Sequence, residues 1–193
     1  MNEQGHGHRQ AHSSATDTPN ASSPDLGRTT VVEHFRTEVN LSACGHEIAG
    51  ALSTREPGRN IDIRIAEGLL VGADERLVRV LLENLPSNAV KYTRRNTSAT
   101  VELGQTVHDG SPMCFVRDNG VGFDPERAGH LFRPFNRLHG GDEFPRTGVG
   151  LATCKRIVRR HGGRIVAESK PGEGATFYFT LSHAAGERPR VEG

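Results

Sequence analysis

The segment LLENLPSNAVKYT, residues 81–93, combines an apolar helical pattern with polar side chains at regular intervals. Asn84, Asn88 and Lys91 stand at positions i, i+4 and i+7, so in a helix they share one face. Burying two carboxamides and an ammonium group without polar partners is costly. A Mg²⁺–triphosphate would supply such partners, because Mg²⁺ takes oxygen ligands and phosphate attracts the ammonium group. Taken alone, the segment also fits a polar stripe that faces solvent.

A second segment, RDNGVGFD at residues 117–124, places an acidic residue at the end of a predicted strand. Asp118 there can accept a hydrogen bond from an exocyclic amine such as that of adenine. Gly120 and Gly122 would let the backbone approach a ligand closely. Asn-Gly is also common in ordinary turns, which is the alternative for this segment alone.

The third segment, RTGVGLATCKRIVRRHGG at residues 146–163, reads as a helix entered through Gly148 and Gly150. A helix N-terminus reached in this way offers free backbone N–H groups to an anion. The final His-Gly-Gly is typical of a helix C-cap. The basic residues before it suit the helix dipole and indicate a solvated face rather than a nucleic-acid surface.

The order of these segments resembles the GHKL superfamily, and specifically the catalytic ATP-binding domain of sensor histidine kinases. The match extends over roughly residues 38–182, and RLHGGDEFPRTGVGLA is similar to kinases that follow phytochrome-like or PAS sensor modules. Five blocks in the family's order carry the resemblance. They are the N box (84–93), the first glycine box (118–122), LFRPFNRLH as the F box (131–139), the second glycine box (147–151) and PGEGATFYFTL (171–181).

The resemblance implies ATP and Mg²⁺ as cofactors and gives roles to individual residues. Asn88 would bind Mg²⁺ with Asn84 in support, and Lys91 and Arg137 would meet the phosphates. The implied catalytic group is therefore Asn84, Lys91 and Arg137. The positions implied to line or shape the nucleotide pocket are Asn88, Tyr92, Asp118, Gly120, Gly122, Gly148, Val149, Gly150, Leu151 and Thr176, where Thr176 would hold the adenine edge.

Two aromatic residues and one proline bear on the geometry of this site. Phe132 and Phe135 would pin a mobile lid at residues 123–147, with plain core packing as the alternative. Pro86 departs from the family's N box, because a proline inside a helix removes a hydrogen bond and costs about 3 kcal/mol or a kink. A kink at Pro86 would change the position of Asn84 relative to Asn88.

The remaining pattern predicts an α+β two-layer sandwich. The resemblance adds a mixed, mainly antiparallel sheet with helices on one face. Helices are expected at 41–54, 74–92 with Asp74 as N-cap, and 148–161. Strands are expected at 60–66, 98–107, 112–119, 164–169 and 174–182, and 123–147 is expected to be a long loop with a short helix.

Composition excludes several classes of function. The 193 residues hold 24 Lys plus Arg against 23 Asp plus Glu, a balance that argues against a nucleic-acid surface or a polybasic anchor. No apolar run approaches the roughly 20 residues of a membrane span, and the first residues lack the apolar core of a secretory signal. Three widely spaced cysteines favour a reducing environment, so the expected location is the cytoplasm.

The composition of the two ends of the chain bears on which partners are expected. Residues 1–30 and 184–193 are expected to be disordered tails on either side of an ATP-binding domain at 31–183. A histidine kinase phosphorylates a histidine on a two-helix dimerisation hairpin, for which the segment before the match lacks room. His34 lacks the acidic neighbour of that motif. The expected partner is thus a hairpin outside this chain, with a response regulator as an indirect partner and no self-phosphorylation by the chain alone.

Two other functions remain open from the residues. The domain could be a non-catalytic nucleotide-binding module, or a stand-alone serine kinase that resembles anti-sigma factors. Relatives that activate water or serine carry a Glu four residues before the Mg²⁺-binding Asn, where this chain has Asn84. Glu83 lies one residue away, rotated by about 100° around the helix.

Overall fold

Three α-helices and seven strands make up residues 37–134 and 149–181, the part of the chain that the computed structural model describes. The helices are α1 (Leu41–Arg55), α2 (Glu75–Tyr92) and α3 (Gly150–Arg160), and a short 3-10 helix covers Pro125–His130. The strands are β1 (Thr37–Asn40), β2 (Ile61–Ile65), β3 (Leu70–Ala73), β4 (Ala99–His108), β5 (Ser111–Asp118), β6 (Ile165–Ser169) and β7 (Ala175–Phe179).

The main sheet has five strands in the order β2-β4-β5-β7-β6. Only the β2–β4 pair of this sheet is parallel, and the other three neighbours are antiparallel. The mixed, mainly antiparallel sheet predicted from the family resemblance is therefore confirmed. The antiparallel pair of β1 and β3 was not predicted, since each strand has four residues and shows little alternation.

The three helices pack on one face of the main sheet. Residues of α1, α2 and α3 form one apolar cluster with inward side chains of β5 and β7 such as Val116, Phe177 and Phe179. The alternate residues of the same strands, including Phe115 and Tyr178, form a separate small cluster on the other face. This segregation confirms the α+β two-layer sandwich.

Helix α2 continues through Pro86 from Glu75 to Tyr92. The buried Pro86 ring lies at a small cavity that is also lined by Gly45 and Ala49 of α1. Burial of the ring offsets part of the hydrogen bond that a proline cannot donate. Pro86 therefore does not end the helix, and Asn84 and Asn88 stay on consecutive turns of it.

The start of α2 is fixed by two side chains. Asp74 is the N-cap, as predicted, because its Oδ1 accepts from the backbone N of Arg76 at 3.0 Å. The backbone N of Asp74 donates to His161 Nε2 at 3.0 Å, and His161 Nδ1 contacts the Ile157 carbonyl oxygen at 2.8 Å. His161 is 1% exposed and follows the last turn of α3. The end of α3 is thereby tied to the beginning of α2.

Several predictions concern residues beyond this region. The two predicted tails and His34 lie outside the described residues, and the boundaries of the predicted domain stay predictions. Within residues 37–134 and 149–181, no helix has the length and apolar character needed to span a bilayer.

Candidate functional site

A small, mainly apolar cavity opens where α2, β5 and β7 meet. Its floor and walls come from strand residues, from the end of α2 and from the start of α3. The residues that line it are Tyr92, Asp118, Gly122, Phe123, Leu131, Leu151, Ala175 and Phe177. A flat aromatic ligand with a polar edge suits such a cavity, since apolar walls bind the ring and a single acid fixes its orientation.

Among the described residues, Asp118 is the one acidic group in the wall of this cavity. It ends β5, is 6% exposed, and its Oδ1 accepts a hydrogen bond from the backbone N of Gly120 at 2.8 Å. Burial raises the pKa of Asp118 to about 6, although backbone N–H groups of Gly120 and Ala175 act in the opposite direction. A carboxylate that gains so little solvation is a strong acceptor for an amine N–H.

The loop after Asp118 requires glycine because backbone approaches it from two sides. A Cβ on Gly120 would lie 2.5 Å from the carbonyl oxygen of Tyr92, the last residue of α2. Gly122 has φ +63°, and its Cβ would lie 2.1 Å from the carbonyl oxygen of Lys170. Val121 N donates to the Tyr92 carbonyl at 3.1 Å, which joins this loop to α2. The first glycine box is therefore wedged between α2 and the β6–β7 turn.

The polar face of α2 leads away from the cavity. Asn84 Nδ2 donates to the Val80 carbonyl at 2.7 Å, and its Oδ1 lies 2.6 Å from the position of a Cβ on Gly150. Asn88 is half-buried, and its side chain has no hydrogen bond among the described residues. Lys91 Nζ lies 4.9 Å from the centre of the Tyr92 ring. This face offers carboxamide oxygens and a cation beside the cavity.

Tyr92 connects the polar face to the cavity. Its side chain is half-buried in the cavity wall. Burial raises the pKa of the Tyr92 hydroxyl, and the nearby charge of Asp118 raises it further. Tyr92 therefore remains a neutral hydrogen-bonding ring at neutral pH.

The predicted second glycine box and lid are described only in part. Val149 and Gly150 begin α3, and Leu151 reaches the cavity wall. Gly148, Phe135 and Arg137 lie outside the described residues. Phe132 is buried and meets Phe177 edge-on at a centroid distance of 6.4 Å. This contact fits the core-packing alternative for Phe132.

Thr176 requires a correction. Strand residues alternate between faces, and the cavity receives Ala175 and Phe177. The Thr176 hydroxyl instead accepts a hydrogen bond from Arg117 Nε at 3.3 Å, on the face away from the helices. Ala175, which lines the cavity in its place, pairs directly with Asp118 across the sheet.

Some residues that build the site were missed by sequence reasoning. Ser169 Oγ accepts from the backbone N of Phe123 at 2.8 Å and donates to the carbonyl of Gly174. Gly174 has φ +83°, and its Cβ would lie 2.0 Å from the Asp118 carbonyl oxygen. These contacts hold the β6–β7 turn against Asp118. The signal for Gly174 was present in the Gly-x-Gly turn before β7.

Comparison with known families and proteins agrees with this geometry. Residues 73–185 match the family described as histidine kinase-, DNA gyrase B- and HSP90-like ATPase. Cyanobacterial phytochrome A from Nostoc sp. is 40% identical over 138 residues, which cover 72% of this chain and 18% of that protein. Histidine protein kinase DivJ from Caulobacter vibrioides is 40% identical over 116 residues, which cover 58% of this chain and 19% of that protein.

Solved structures share the fold. The nucleotide-free catalytic domain of histidine kinase ThkA superposes with a TM-score of 0.61 at 26% identity, covering 75% of this chain and 93% of that one. Full-length ShkA in complex with AMPPNP gives a TM-score of 0.61 at 28% identity, covering 79% of this chain and 33% of that one. The matched residues span between 16% and 21% of the length of the first curated relatives.

Proposed function

The chain belongs to the histidine kinase-, DNA gyrase B- and HSP90-like ATPase family and carries an ATP-binding domain of the sensor histidine kinase type, and on that premise we propose that it binds Mg–ATP and delivers the γ-phosphate to a histidine. The observation that carries the proposal is the buried Asp118 in a small apolar cavity, bordered by a loop in which Gly120 and Gly122 have no space for a side chain.

Adenine suits the cavity by its shape and its hydrogen bonding. The Asp118 carboxylate would accept from the exocyclic amine, and the ring would lie among Phe123, Leu151 and Phe177. The acid would become less costly to bury once an amine N–H satisfies it. Nucleotide binding should therefore favour the ionised form of Asp118.

The donor set on α2 fits a magnesium ion that arrives with the nucleotide. Asn88 presents a half-buried carboxamide without a hydrogen-bond partner among the described residues, and such an oxygen is a hard ligand. Mg²⁺ commonly takes most of its ligands from phosphates and water, so one protein oxygen suffices. Bound Mg²⁺ would neutralise charge on the β- and γ-phosphates. Asn88 would orient it, and Lys91, with Arg137, would hold phosphate oxygens.

The proposed phosphoacceptor is a histidine on a dimerisation hairpin, and a response regulator would receive the phosphate from there. Such a system would operate in the cytoplasm. Asn84 would position rather than act as a base, since a carboxamide has no basic group that takes up a proton near neutral pH, and its Nδ2 is held by the Val80 carbonyl. Glu83 is exposed and stands one position off that face. Both observations disfavour the serine-kinase alternative, which needs a carboxylate at position 84.

Two measurements test the proposal in sequence. Calorimetric titration of the chain with ATP and Mg²⁺ should show binding that weakens when Mg²⁺ is withheld or when Asn88 is replaced by Ala. Incubation with γ-labelled ATP and a separately added kinase hairpin should then yield base-stable phosphohistidine on the hairpin. Exposed Arg64→Ala serves as the control for both steps. Binding without any transfer would favour the non-catalytic module, and absence of ATP binding would overturn the proposal.

A further inference from the structure

Arg59, in the turn between α1 and β2, contacts the last turn of α2 at several points. Its Nη1 donates to the Val90 carbonyl at 2.9 Å, and its Nη2 donates to the Thr93 carbonyl at 2.9 Å. Nη2 also lies 3.3 Å from Thr93 Oγ1. The final carbonyls of a helix have no partner within the helix, and a cation also suits the negative end of its dipole. Arg59 thus caps α2 from outside.

This cap is partly shielded and is itself held in place. The Arg59 side chain is 19% exposed, and Glu56 Oε2 lies 3.7 Å from its Nη1. Thr93, which it contacts, is fully buried. The fork of the guanidinium matches two backbone carbonyls, a geometry that a single ammonium cannot reproduce.

The capped turn is continuous with the first glycine box. Tyr92, which lies between the two capped carbonyls, accepts from Val121 N at 3.1 Å. Asn96 N donates to the Thr93 carbonyl at 2.9 Å, and the Asn96 side chain donates to the carbonyl of Asn119. Two hydrogen-bonded routes therefore run from the end of α2 to the residues that follow Asp118.

We infer that Arg59 is a positioning residue for the adenine end of the site, acting through the last turn of α2 on Val121 and Asn119. The inference rests on the proposed function where it concerns nucleotide, but its structural part does not. Loss of Arg59 removes one hydrogen bond from each of the Val90 and Thr93 carbonyls, which keep their bonds from Thr93 Oγ1 and Asn96 N. The turn that holds the Tyr92 carbonyl between them is then less fixed. The residues after Asp118 are then no longer held at a fixed distance from the end of α2.

The experiment compares Arg59→Ala, Arg59→Lys and the control Arg64→Ala, which removes an equal charge from an exposed pair with Asp62. Hydrogen exchange followed by NMR reports on the Val121 amide, with the Val116 amide of β5 as an internal reference. We expect faster exchange at Val121 in Arg59→Ala, an intermediate rate in Arg59→Lys, and no change at Val116. Arg64→Ala should match the wild type at both amides.

Nucleotide affinity supplies the second readout. Outer-shell partners of metal-binding residues change metal affinity or activity by about ten- to 100-fold, and we expect a loss of about tenfold in nucleotide affinity here by the same reasoning. In Arg59→Ala, measured well below its unfolding midpoint, affinity for adenosine, ADP and ATP should fall by the same factor, because only the adenine end is disturbed. A loss confined to ATP, or none in a folded variant, would overturn the inference.

The two proposals fail in different ways. If the wild type binds no nucleotide, the proposed function fails, while Val121 exchange still decides the role of Arg59. If Arg59→Ala does not fold, Arg59→Lys carries the comparison. Wild-type exchange at Val121 in that variant, together with wild-type affinity, would refute the positioning role.

Discussion

Helix α2 meets both glycine boxes, but the two contacts differ in kind. At its C-terminal end the contact is between backbones, since Val121 N donates to the Tyr92 carbonyl and Gly120 approaches the same oxygen. Near its middle the contact is between a side chain and a backbone, because the Asn84 carboxamide faces Gly150 at the start of α3. The backbone carbonyl of Tyr92 moves only together with the last turn of α2, whereas a carboxamide can rotate about its own side-chain bonds.

The difference separates the site into a fixed part and an adjustable part. The end proposed for adenine is built on the fixed contact, which Arg59 and the β6–β7 turn support through hydrogen bonds. The end proposed for phosphates is built on the contact between Asn84 and Gly150, in which the side chain can rotate. A fixed cavity would give the proposed adenine a constant anchor, while the contact at Gly150 would leave room for change near the proposed phosphates. The predictions below test this division.

Gly120→Ala should have the largest effect. The added Cβ would stand 2.5 Å from the Tyr92 carbonyl oxygen and 2.8 Å from Asp118 Oδ1. Because the first of these atoms is backbone, we expect a loss of about 3 kcal/mol or more in the free energy of unfolding, with loss of ATP binding. Urea unfolding measures it. Gly50→Ala, where the Cβ meets open space on α1, should be neutral or stabilising. A near-wild-type Gly120→Ala would contradict the fixed contact.

Asp118→Asn should weaken ATP binding strongly while leaving the fold intact. The change removes a charged acceptor from a buried position, which costs roughly 1.5–3 kcal/mol of affinity, or about ten- to 150-fold. Calorimetry at pH 7.5 measures the difference. The adenine assignment would be abandoned if both forms bound ATP equally.

The pH dependence of both stability and binding should trace to Asp118. Its pKa in the fold is about 6, above the ordinary value of 3.8, so the native state holds this proton more tightly than the unfolded chain does. The stability it contributes is full below pH 3.8 and is lost as pH rises through about 6, up to roughly 3 kcal/mol. ATP affinity should rise over the same interval, because the ionised acid is the acceptor.

The measurement is a pair of titrations between pH 4 and pH 8, one of urea unfolding and one of ATP binding. Asp118→Asn is the matched variant, and the difference between it and the wild type isolates this one group. Differences that stay constant across the interval would show that Asp118 does not titrate there.

Gly150→Ala should have a much smaller effect than Gly120→Ala. Its Cβ would meet Asn84 Oδ1 at 2.6 Å, but that atom ends a side chain that can turn away. We expect a stability loss below about 1 kcal/mol, since alanine also favours the helix. A double-mutant cycle with Asn84→Ala should recover the loss. A cost as large as that of Gly120→Ala would end the distinction between the two contacts.

Thr176→Val should have the smallest effect on nucleotide. The Thr176 hydroxyl serves Arg117 on the far face of the sheet, so ATP affinity should stay within about twofold of the wild type. The contrasting change, Ala175→Leu, introduces bulk into the cavity and should weaken binding. A large loss of affinity in Thr176→Val would restore the original assignment.

The sequence predicted α2 and its neighbours well because their signals are local. Asp74 lies one residue before an amphipathic helix, β4 alternates over ten residues, and β5 contains a run of four apolar residues, Met113 to Val116. The strands β1 and β3 were not predicted, because four residues are too few to show the alternation of a strand. Thr176 was misplaced by one residue, and in a strand one residue changes the face.

The supports of the site could not be predicted from local patterns. His161 reads as a helix cap, and nothing near it indicates a hydrogen bond with Asp74, 87 residues away. Arg59 follows Glu, Pro and Gly in a turn. Charged residues are common in such turns, so the sequence does not indicate that Arg59 contacts α2. Both residues act on α2 only after the sheet has brought distant segments together.

The hydrogen bond between His161 and Asp74 fixes the C-terminal end of α3 against the start of α2. The helix has 11 residues and is about 16 Å long. Its far end is anchored at His161, while its near end begins at Gly150 against the Asn84 side chain. A tilt of about 10° around the anchor would move Gly150 by about 3 Å, given that length. A small rotation at this end of α3 would thus displace the start of the helix, which borders the region proposed for phosphates.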